Sequence, residues 1–341
     1  MILIRIDSGS KLGLGHYIRV KTLIRYLKIK NYRIVVDKLS NEKFFTKEKK
    51  KIIPLYDESN FISELDDAKS FIKLFKKKYQ NPIIIKDSYR LNYKWEKYLA
   101  KYSKKIISID DFIENKHYSN IIINHNPALN HNKDLIKIIK KNNKKKCSLL
   151  VGTNYALFNT SNKKIKTKKT DITFYNGGSG DILIYKKIIK QILKKNKLNY
   201  KINLILGPYV KNYTKVKRLF VKNQNIEIIR QPENIISYLK NTKLFVSPAS
   251  TSMFESSLTK TPTLLFRLHQ NQNIVSDKDL EKLGHYFSLN KKDIFSTDKI
   301  VRIIQVMLEN NKHISKMMSK NSVNLKKIKK NYLNNLKISN G

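Results

Sequence analysis

Short β-rich runs alternate with longer amphipathic stretches along most of the chain, and this alternation is the feature that most limits its fold. In the first half the runs are ILIRID at 2–7, RIVV at 33–36, IIIK at 83–86, KIISI at 105–109 and NIIIN at 120–124. A strand, a helix and a second strand in succession are typical of a parallel sheet covered by helices. The first half therefore predicts a doubly wound α/β domain.

A second series of the same kind follows a polar interruption. The stretch NTSNKKIKTKKT at 159–170 loses apolar periodicity, as an interdomain linker does. The later runs are ITFY at 172–175, INLIL at 202–206, IEII at 226–229, LFV at 244–246 and TLLF at 263–266. A chain of 341 residues is also long enough for two domains. We expect an α/β protein with two Rossmann-like domains, residues 1–158 and 171–312, and a basic C-terminal helix or tail at 313–341.

The chain is strongly basic, with 70 Lys and Arg against 26 Asp and Glu and a formal charge of +44. Such a field attracts polyanions. The basic residues are spread over many segments, such as KKNNKKK at 140–146, and do not form one arm or stripe with interleaved aromatics. Nucleic acid is therefore not the expected partner, and a nucleic-acid-binding protein is the least favoured class. An anionic substrate, or peripheral contact with an anionic membrane, would benefit from the same field.

Cysteine content and hydropathy limit the expected cellular location and the kinds of metal site. The single cysteine, Cys147, excludes a disulfide within the chain and a thiolate metal cluster. The first residues lack a basic region followed by a long apolar region, and no apolar run approaches the ~20 residues that span a bilayer. We expect a cytoplasmic protein that uses no metal.

A glycine-rich loop follows the first predicted strand. The strand ends at Asp7 and continues into SGSKLGLGHYIR, in which Gly13 and Gly15 permit tight turns before a helix that begins near His16. The carboxyl end of a strand is where open α/β sheets bind ligands, and a helix start adds positive partial charge. The spacing differs from the dinucleotide fingerprint, so a nicotinamide cofactor is disfavoured and no cofactor is expected.

His16 and Arg19 would share one face of that helix. His16 is a candidate general base, and the alternative is a histidine that only hydrogen-bonds the loop. Arg19 could bind phosphate, hold a carboxylate or remain solvated. Asp87 and Tyr89 follow another predicted strand and would bring a carboxylate and a phenol to the same edge, unless Asp87 only caps the next helix.

Asp110 and Asp111 form a carboxylate pair after the run IISI. The pair could hold a cation or orient a base. Helix capping is the better explanation for at least one of the two residues.

Two segments of the second half predict a phosphate and ribose site. Gly177, Gly178 and Ser179 precede a helix whose first turn would face an anion. Further on, Ser250 and Thr251 could donate hydroxyl hydrogen bonds to phosphate.

Glu255 follows Thr251 within one helical turn and could accept hydrogen bonds from both hydroxyls of a ribose. The alternative for this segment is ordinary N-capping with a surface Glu. Asn271 and Gln272 add polar side chains that could reach the substrate.

Taken together, these motifs resemble one enzyme family. The blocks are RIDSGSKLGLGHYIR at 5–19, DSYRLNYKWE at 87–96, SIDD at 108–111, YALF at 155–158, NGGSGD at 176–181, ASTSMFE at 249–255 and NQ at 271–272. In order and spacing they are similar to the UDP-2,4-diacetamido-2,4,6-trideoxy-altropyranose hydrolases of pseudaminic-acid synthesis and to the related spore-coat polysaccharide proteins. The resemblance covers about residues 1–290.

The resemblance implies a GT-B-like fold, a nucleotide-binding C-terminal domain, a catalytic N-terminal loop and release of UDP without a metal. His16 matches the proposed catalytic histidine, Tyr89 a tyrosine near the sugar, and Glu255 the ribose-binding glutamate. The sequence departs from the family at Asn159, where an arginine is common, and in reading GGSGD where GGSD is commoner.

The expected reaction is therefore hydrolysis of a UDP-linked diacetamido-trideoxy-hexose by water attack at the anomeric carbon. We expect Gly13, Gly15, Arg19, Asp87, Asn271 and Gln272 to bind the sugar, and the residues named for the second half to bind UDP. A GT-B glycosyltransferase would use the same donor site with an acceptor hydroxyl in place of water, and it is the alternative.

Overall fold

The computed structural model describes residues 1–7, 14–36, 50–55, 63–160, 165–177, 182–194, 199–207, 210, 213–267, 275–290, 292–336 and 338. The chain divides into two compact units. The first combines Met1–Leu157 with Lys326–Gly341, and the second is Phe158–Leu325.

The first unit contains a seven-stranded sheet in which every pairing is parallel. Its strands are β1 Ile2–Ile6, β2 Tyr32–Val36, β3 Ile52–Pro54, β4 Ile83–Asp87, β5 Lys105–Ile109, β6 Ile121–Asn124 and β7 Ser148–Val151. Their order is β3-β2-β1-β4-β5-β6-β7. The order reverses between β1 and β4, and such a switch point opens a crevice at the carboxyl ends of the strands.

The helices between these strands are α1 Gly15–Tyr26, α2 Glu64–Phe75, α3 Tyr93–Leu99 and α4 Lys133–Asn142. The central strands β1, β5 and β6 are rich in isoleucine and almost wholly buried, because a parallel sheet covered by helices on both faces has no solvent-exposed face. On one face Phe71 of α2 packs against Trp95 of α3, with ring centroids 5.4 Å apart. The Ser63 hydroxyl caps α2 by accepting from the Asp66 amide.

The second unit repeats this plan with a six-stranded parallel sheet. Its strands are β8 Thr170–Tyr175, β9 Ile202–Leu206, β10 Ile226–Arg230, β11 Thr242–Pro248, β12 Thr263–Arg267 and β13 Phe287–Asn290. The order is β10-β9-β8-β11-β12-β13, so the switch point lies between β8 and β11.

The remaining helices are α5 Leu183–Lys194, α6 Tyr213–Phe220, α7 Ile235–Leu239, α8 Ser252–Thr259, α9 Asp277–Glu281, α10 Thr297–Glu309, α11 Asn311–Met318 and α12 Leu325–Asn335. The last helix belongs almost entirely to the first unit. There the Tyr332 hydroxyl donates to the Tyr155 carbonyl at 2.6 Å, and the Tyr332 ring lies 5.9 Å from that of Tyr26. Buried Ile328 and Tyr332 anchor a helix whose other residues are mostly basic or polar.

The structure confirms all ten β-rich runs as strands and adds three strands that the pattern did not predict. β3, β7 and β13 have only three or four residues each.

Gly284 offers a test of the packing in the second unit. Its φ is +85°, and a Cβ there would lie 2.9 Å from the Met318 Cα. We expect Gly284→Ala to lower the free energy of unfolding by about 1–3 kcal/mol, because the backbone conformation and the close approach both exclude a side chain. Urea unfolding followed by far-UV circular dichroism measures the change. Gly15→Ala is the control, since a Cβ at Gly15 meets no described atom within 4 Å; an equal loss in both variants would contradict the account.

Candidate functional site

Polar side chains gather at the carboxyl edge of the first sheet, on both sides of its switch point. His16 and Arg19 lie in the first turns of α1, which follows β1, and Asp87 ends β4. Asp111 is the second residue after β5, and His125 directly follows β6. Apart from Asp111, which is partly exposed, these side chains are buried. Strands that neighbour each other in the sheet thus bring together residues that are far apart in sequence.

Arg19 is the centre of this group. Its Nε and Nη2 bind the two oxygens of Asp87 at 2.9 and 2.5 Å, and its Nη1 donates to Asp111 Oδ2 at 2.6 Å. Burial alone would raise the pKa of either carboxyl. The Arg19 charge, added to the hydrogen bonds and to a neighbouring histidine at each aspartate, outweighs burial, so the pKa of Asp87 and that of Asp111 are both lowered. Of the roles open to Arg19 in the sequence, holding carboxylates is the one in the structure.

His16 shares Asp87 with Arg19. Its Nδ1 lies 2.6 Å from Asp87 Oδ1. Because the ionised carboxylate only accepts hydrogen bonds, Nδ1 donates to it, and in the neutral form of the ring the lone pair then lies on Nε2. Arg19 Nη2 also lies 3.0 Å from Nδ1, since both groups are drawn to the same carboxylate oxygen. The pairing sets up His16 to accept a proton at Nε2.

Tyr89 packs against the His16 ring and binds Asp111. Its ring meets the His16 ring edge-on at 4.7 Å and the Phe112 ring at 4.9 Å, and its hydroxyl donates to Asp111 Oδ2. Burial and the Asp111 charge raise the pKa of Tyr89 well above its usual value, so the phenol stays protonated. The carboxylate and the two rings fix its orientation.

The two adjacent aspartates have different surroundings. Asp111 holds Arg19 and Tyr89, whereas Asp110 accepts the Phe112 amide at 2.9 Å and the Asn115 side chain at 2.8 Å. Asp110 therefore caps a turn. In the residues that the structure describes, no group of three or more His, Cys, Asp or Glu side chains is arranged to hold a metal ion.

His125 also belongs to this group, although it is not among the site residues predicted from the sequence. Its Nε2 lies 3.6 Å from Asp111 Oδ1. Burial lowers the pKa of His125, aided by the Arg19 charge and opposed by Asp111. The sequence did contain a signal for this residue. His125 directly follows the run NIIIN, which forms a strand, and so occupies a strand end as Asp87 and Asp111 do.

A second group of polar side chains follows β11 in the other unit. Thr251 occupies the N-cap position of α8, and its side chain makes no capping hydrogen bond to the described part of the chain. The Ser250 and Ser252 hydroxyls lie 3.1 Å apart. A helix start and free hydroxyl capacity at a strand end are suited to a phosphate.

Glu255 lies in the first turn of α8 and is only 5% exposed. Its Oε1 accepts the Asn159 amide at 3.2 Å, and Asn159 Nδ2 donates to the Glu233 carbonyl at 3.1 Å. Burial raises the pKa of Glu255 from its ordinary 4.5 to about 8, opposed by the Asn159 hydrogen bond. A buried carboxyl with so little charge compensation is an acceptor for further hydroxyl donors.

Several predicted site residues remain to be placed. Gly15 is the first residue of α1, and Gly177, which follows β8 with φ +65°, adopts a conformation that favours glycine. The other five lie outside the described residues: Gly13, Gly178, Ser179, Asn271 and Gln272.

The comparisons with known proteins give a fold and no family, because no protein-family profile matches the chain. An uncharacterized protein of Methanocaldococcus jannaschii is 22% identical over 299 residues, which are 82% of this chain and 58% of that protein. This chain thus spans less than two thirds of the length of that curated relative.

Solved structures match over nearly the whole chain. MurG of Acinetobacter baumannii has a TM-score of 0.62 at 12% identity, covering 99% of each chain. A UDP-glucosyltransferase from Polygonum tinctorium has a TM-score of 0.67 at 11% identity, covering 98% of this chain and 97% of that one. The chain has the GT-B fold. A UDP-GlcNAc 2-epimerase from Neisseria meningitidis, with a TM-score of 0.60 at 11% identity and 98% and 99% coverage, shares it.

This confirms the predicted fold class, an α/β protein with two Rossmann-like sheets in the GT-B architecture. Identities near 11% do not carry a reaction from one protein to another. None of the described helices is both long and apolar enough to cross a membrane.

The raised pKa of Glu255, about 8, makes stability depend on pH. Between pH 4.5 and 8 the unfolded chain releases this proton while the folded chain keeps it, so the free energy of unfolding of the wild type falls as pH rises. Glu255→Gln has no proton to release. We expect its stability relative to the wild type to grow by about 3 kcal/mol from pH 5 to pH 8.

Urea unfolding at a series of pH values measures this difference. Glu227→Gln is the control, because Glu227 is exposed in the same unit and its side chain is in water in both states. A stability difference for Glu255→Gln that stays constant with pH would show that the carboxyl is ionised in the folded chain.

Proposed function

We propose that the chain is a UDP-sugar hydrolase that releases UDP and the free sugar by water attack at the anomeric carbon. The observation that carries the proposal is the pairing of His16 Nδ1 with Asp87, which leaves Nε2 of this buried ring beside Tyr89 as the nitrogen that can take a proton. The fold shared with MurG, a UDP-glucosyltransferase and a UDP-GlcNAc 2-epimerase supports a nucleotide-sugar as the substrate.

In this proposal the second unit binds UDP. Ser250, Thr251 and the start of α8 donate hydrogen bonds to the phosphates, and Glu255 accepts hydrogen bonds from the ribose hydroxyls. Because these hydroxyls favour the carboxylate, UDP binding lowers the pKa of Glu255 and releases its proton. Gly177, Gly178 and Ser179 would complete the phosphate contacts.

The first unit supplies the chemistry. His16 Nε2 takes a proton from water as the water oxygen bonds to the anomeric carbon, and the electron pair of the breaking bond leaves with UDP. Asp87 stabilises the imidazolium that forms, while Arg19 keeps Asp87 ionised. Tyr89 positions the sugar or the water. A single displacement of this kind inverts the anomeric carbon.

We further propose a UDP-linked diacetamido-trideoxy-hexose as the sugar, used in pseudaminic-acid-type nonulosonate or surface polysaccharide synthesis. The motif resemblance over residues 1–290 supports this choice. Gly13, Gly15, Asn271 and Gln272 would contact the sugar.

Incubation with a panel of UDP-sugars and no acceptor tests the reaction. We expect equal amounts of UDP and free sugar from one member of the panel, since water is the only nucleophile required. In ¹⁸O-labelled water the label should enter the sugar and not UDP. UDP release only after an acceptor alcohol is added would identify a glycosyltransferase, and label in UDP would mean attack at phosphorus.

His16→Gln tests the base. We expect kcat to fall by about 10²–10⁴-fold while the Kd of UDP is unchanged, because the base acts only in the chemical step. His131→Gln is the matched control, since His131 is an exposed histidine of the same unit. A His16→Gln enzyme with full kcat would leave this residue with a purely structural role.

A further inference from the structure

Behind the candidate site of the first unit lies a second cluster of charged side chains, which we call the Glu96 network. It consists of Lys86 on β4, Glu96 on α3, and Asp110 and His117 on the segment between β5 and β6. None of the four is more than 2% exposed. Burying charges in this way is costly unless each lies beside an opposite charge.

Glu96 is the acceptor at the centre. Its Oε1 lies 3.1 Å from Lys86 Nζ and 2.8 Å from His117 Nδ1, and it accepts the Ser108 hydroxyl at 2.7 Å. Its Oε2 accepts the Tyr118 amide at 2.5 Å. Burial alone would raise the pKa of Glu96, but the Lys86 and His117 charges hold it far below its usual range. Glu96 is therefore an ionised carboxylate.

His117 links Glu96 to Asp110. Its Nδ1 faces Glu96, and its Nε2 lies 3.1 Å from Asp110 Oδ2. Burial and Lys86 lower the pKa of His117, but Glu96 and Asp110 outweigh them and raise it. The His117 ring thus lies between two acidic side chains.

The network abuts the candidate site at two points of the chain. Lys86 directly precedes Asp87, and Asp110 directly precedes Asp111. Successive side chains of a strand point to opposite faces, so Lys86 is held on one face while Asp87 is presented on the other. By accepting the Phe112 amide, Asp110 fixes the turn that carries Asp111.

Asp87 and Asp111 are the two carboxylates that hold Arg19. We propose that the Glu96 network sets the distance between Asp87 and Asp111. It thereby holds the side chains of Arg19, Tyr89 and His16 in their positions relative to one another. Its members are positioning residues, since their side chains are buried and act through the two aspartates. The structural part of this inference stands by itself, and its effect on catalysis rests on the proposed function.

The mobility of the Arg19 guanidinium shows, without any substrate, whether Asp87 and Asp111 are held at the right distance. In the wild type its Nη1 and Nη2 are held by different carboxylates, so their ¹⁵N signals should be separate. Glu96→Gln keeps the shape of the side chain and removes its charge. We expect rotation of the guanidinium to accelerate about tenfold or more and the two signals to merge, because charge-assisted hydrogen bonds resist this rotation.

Phe71→Leu is the control, because Phe71 is a buried residue of the same unit that packs on Trp95 and makes none of the Glu96 contacts. It should lower stability and leave the signals separate. Ser108→Ala, which removes one hydrogen bond to Glu96, should accelerate rotation to a smaller extent and serves if Glu96→Gln does not fold. Separate signals in both network variants, or merged signals in Phe71→Leu as well, would overturn the inference.

The catalytic effect is measured separately. With a UDP-sugar that the wild type hydrolyses, Glu96→Gln should lower kcat by about 10–100-fold, since small misplacements of reacting groups have effects of this size, while the Kd of UDP stays within about twofold. Merged Arg19 signals with unchanged kcat would overturn the catalytic part. A wild type that hydrolyses no UDP-sugar would reject the proposed function, and the Arg19 signals would still decide the positioning role.

Discussion

The first unit depends on one buried cation, Arg19, held between Asp87 and Asp111. Arginine suits this place because its planar fork donates to two carboxylates at once and does not lose its charge on burial. It keeps both aspartates ionised, and an ionised Asp87 in turn decides which nitrogen of His16 carries the proton. A lysine would offer one point charge in place of two directed pairs, and the geometry that links the two strand ends would be lost.

The two units treat a buried carboxyl in opposite ways. In the first, Asp87, Asp111 and Glu96 each lie beside a cation, so their pKa values are lowered although burial alone would raise them. In the second, Glu255 has an amide as its partner, and its pKa rises to about 8. The first arrangement is complete without a ligand, whereas the second leaves a carboxyl that gains from further hydrogen-bond donors. This difference is the physical basis on which we propose a catalytic base in the first unit and a ribose contact in the second.

Much of this arrangement can be predicted from the sequence. Buried parallel strands appear in the sequence as isoleucine-rich runs, and ligands bind at the carboxyl ends of such strands. That rule led to His16, Asp87 and Asp111, and applied to the run NIIIN it would have led to His125 as well. It could not predict that Asp87 serves His16 and Arg19 together, since that depends on β1 and β4 being neighbours in the sheet. Nor could it separate Asp110 from Asp111, because adjacent residues of a turn take their roles from what surrounds them. The Glu96 network was also missed, since a lysine inside a strand and a glutamate on a helix are taken for surface residues until the packing is known.

The GT-B fold leaves the reaction open, because transferases and an epimerase share it with this chain at identities near 11%. A hydrolase needs a base that accepts a proton from water, and we propose the His16 imidazole, which Asp87 orients, for that role. A transferase could use the same base on an acceptor hydroxyl, so the His16–Asp87 pair alone does not separate the two. What separates them is whether water reacts in the absence of an acceptor, and the motif resemblance, which covers both units, favours water.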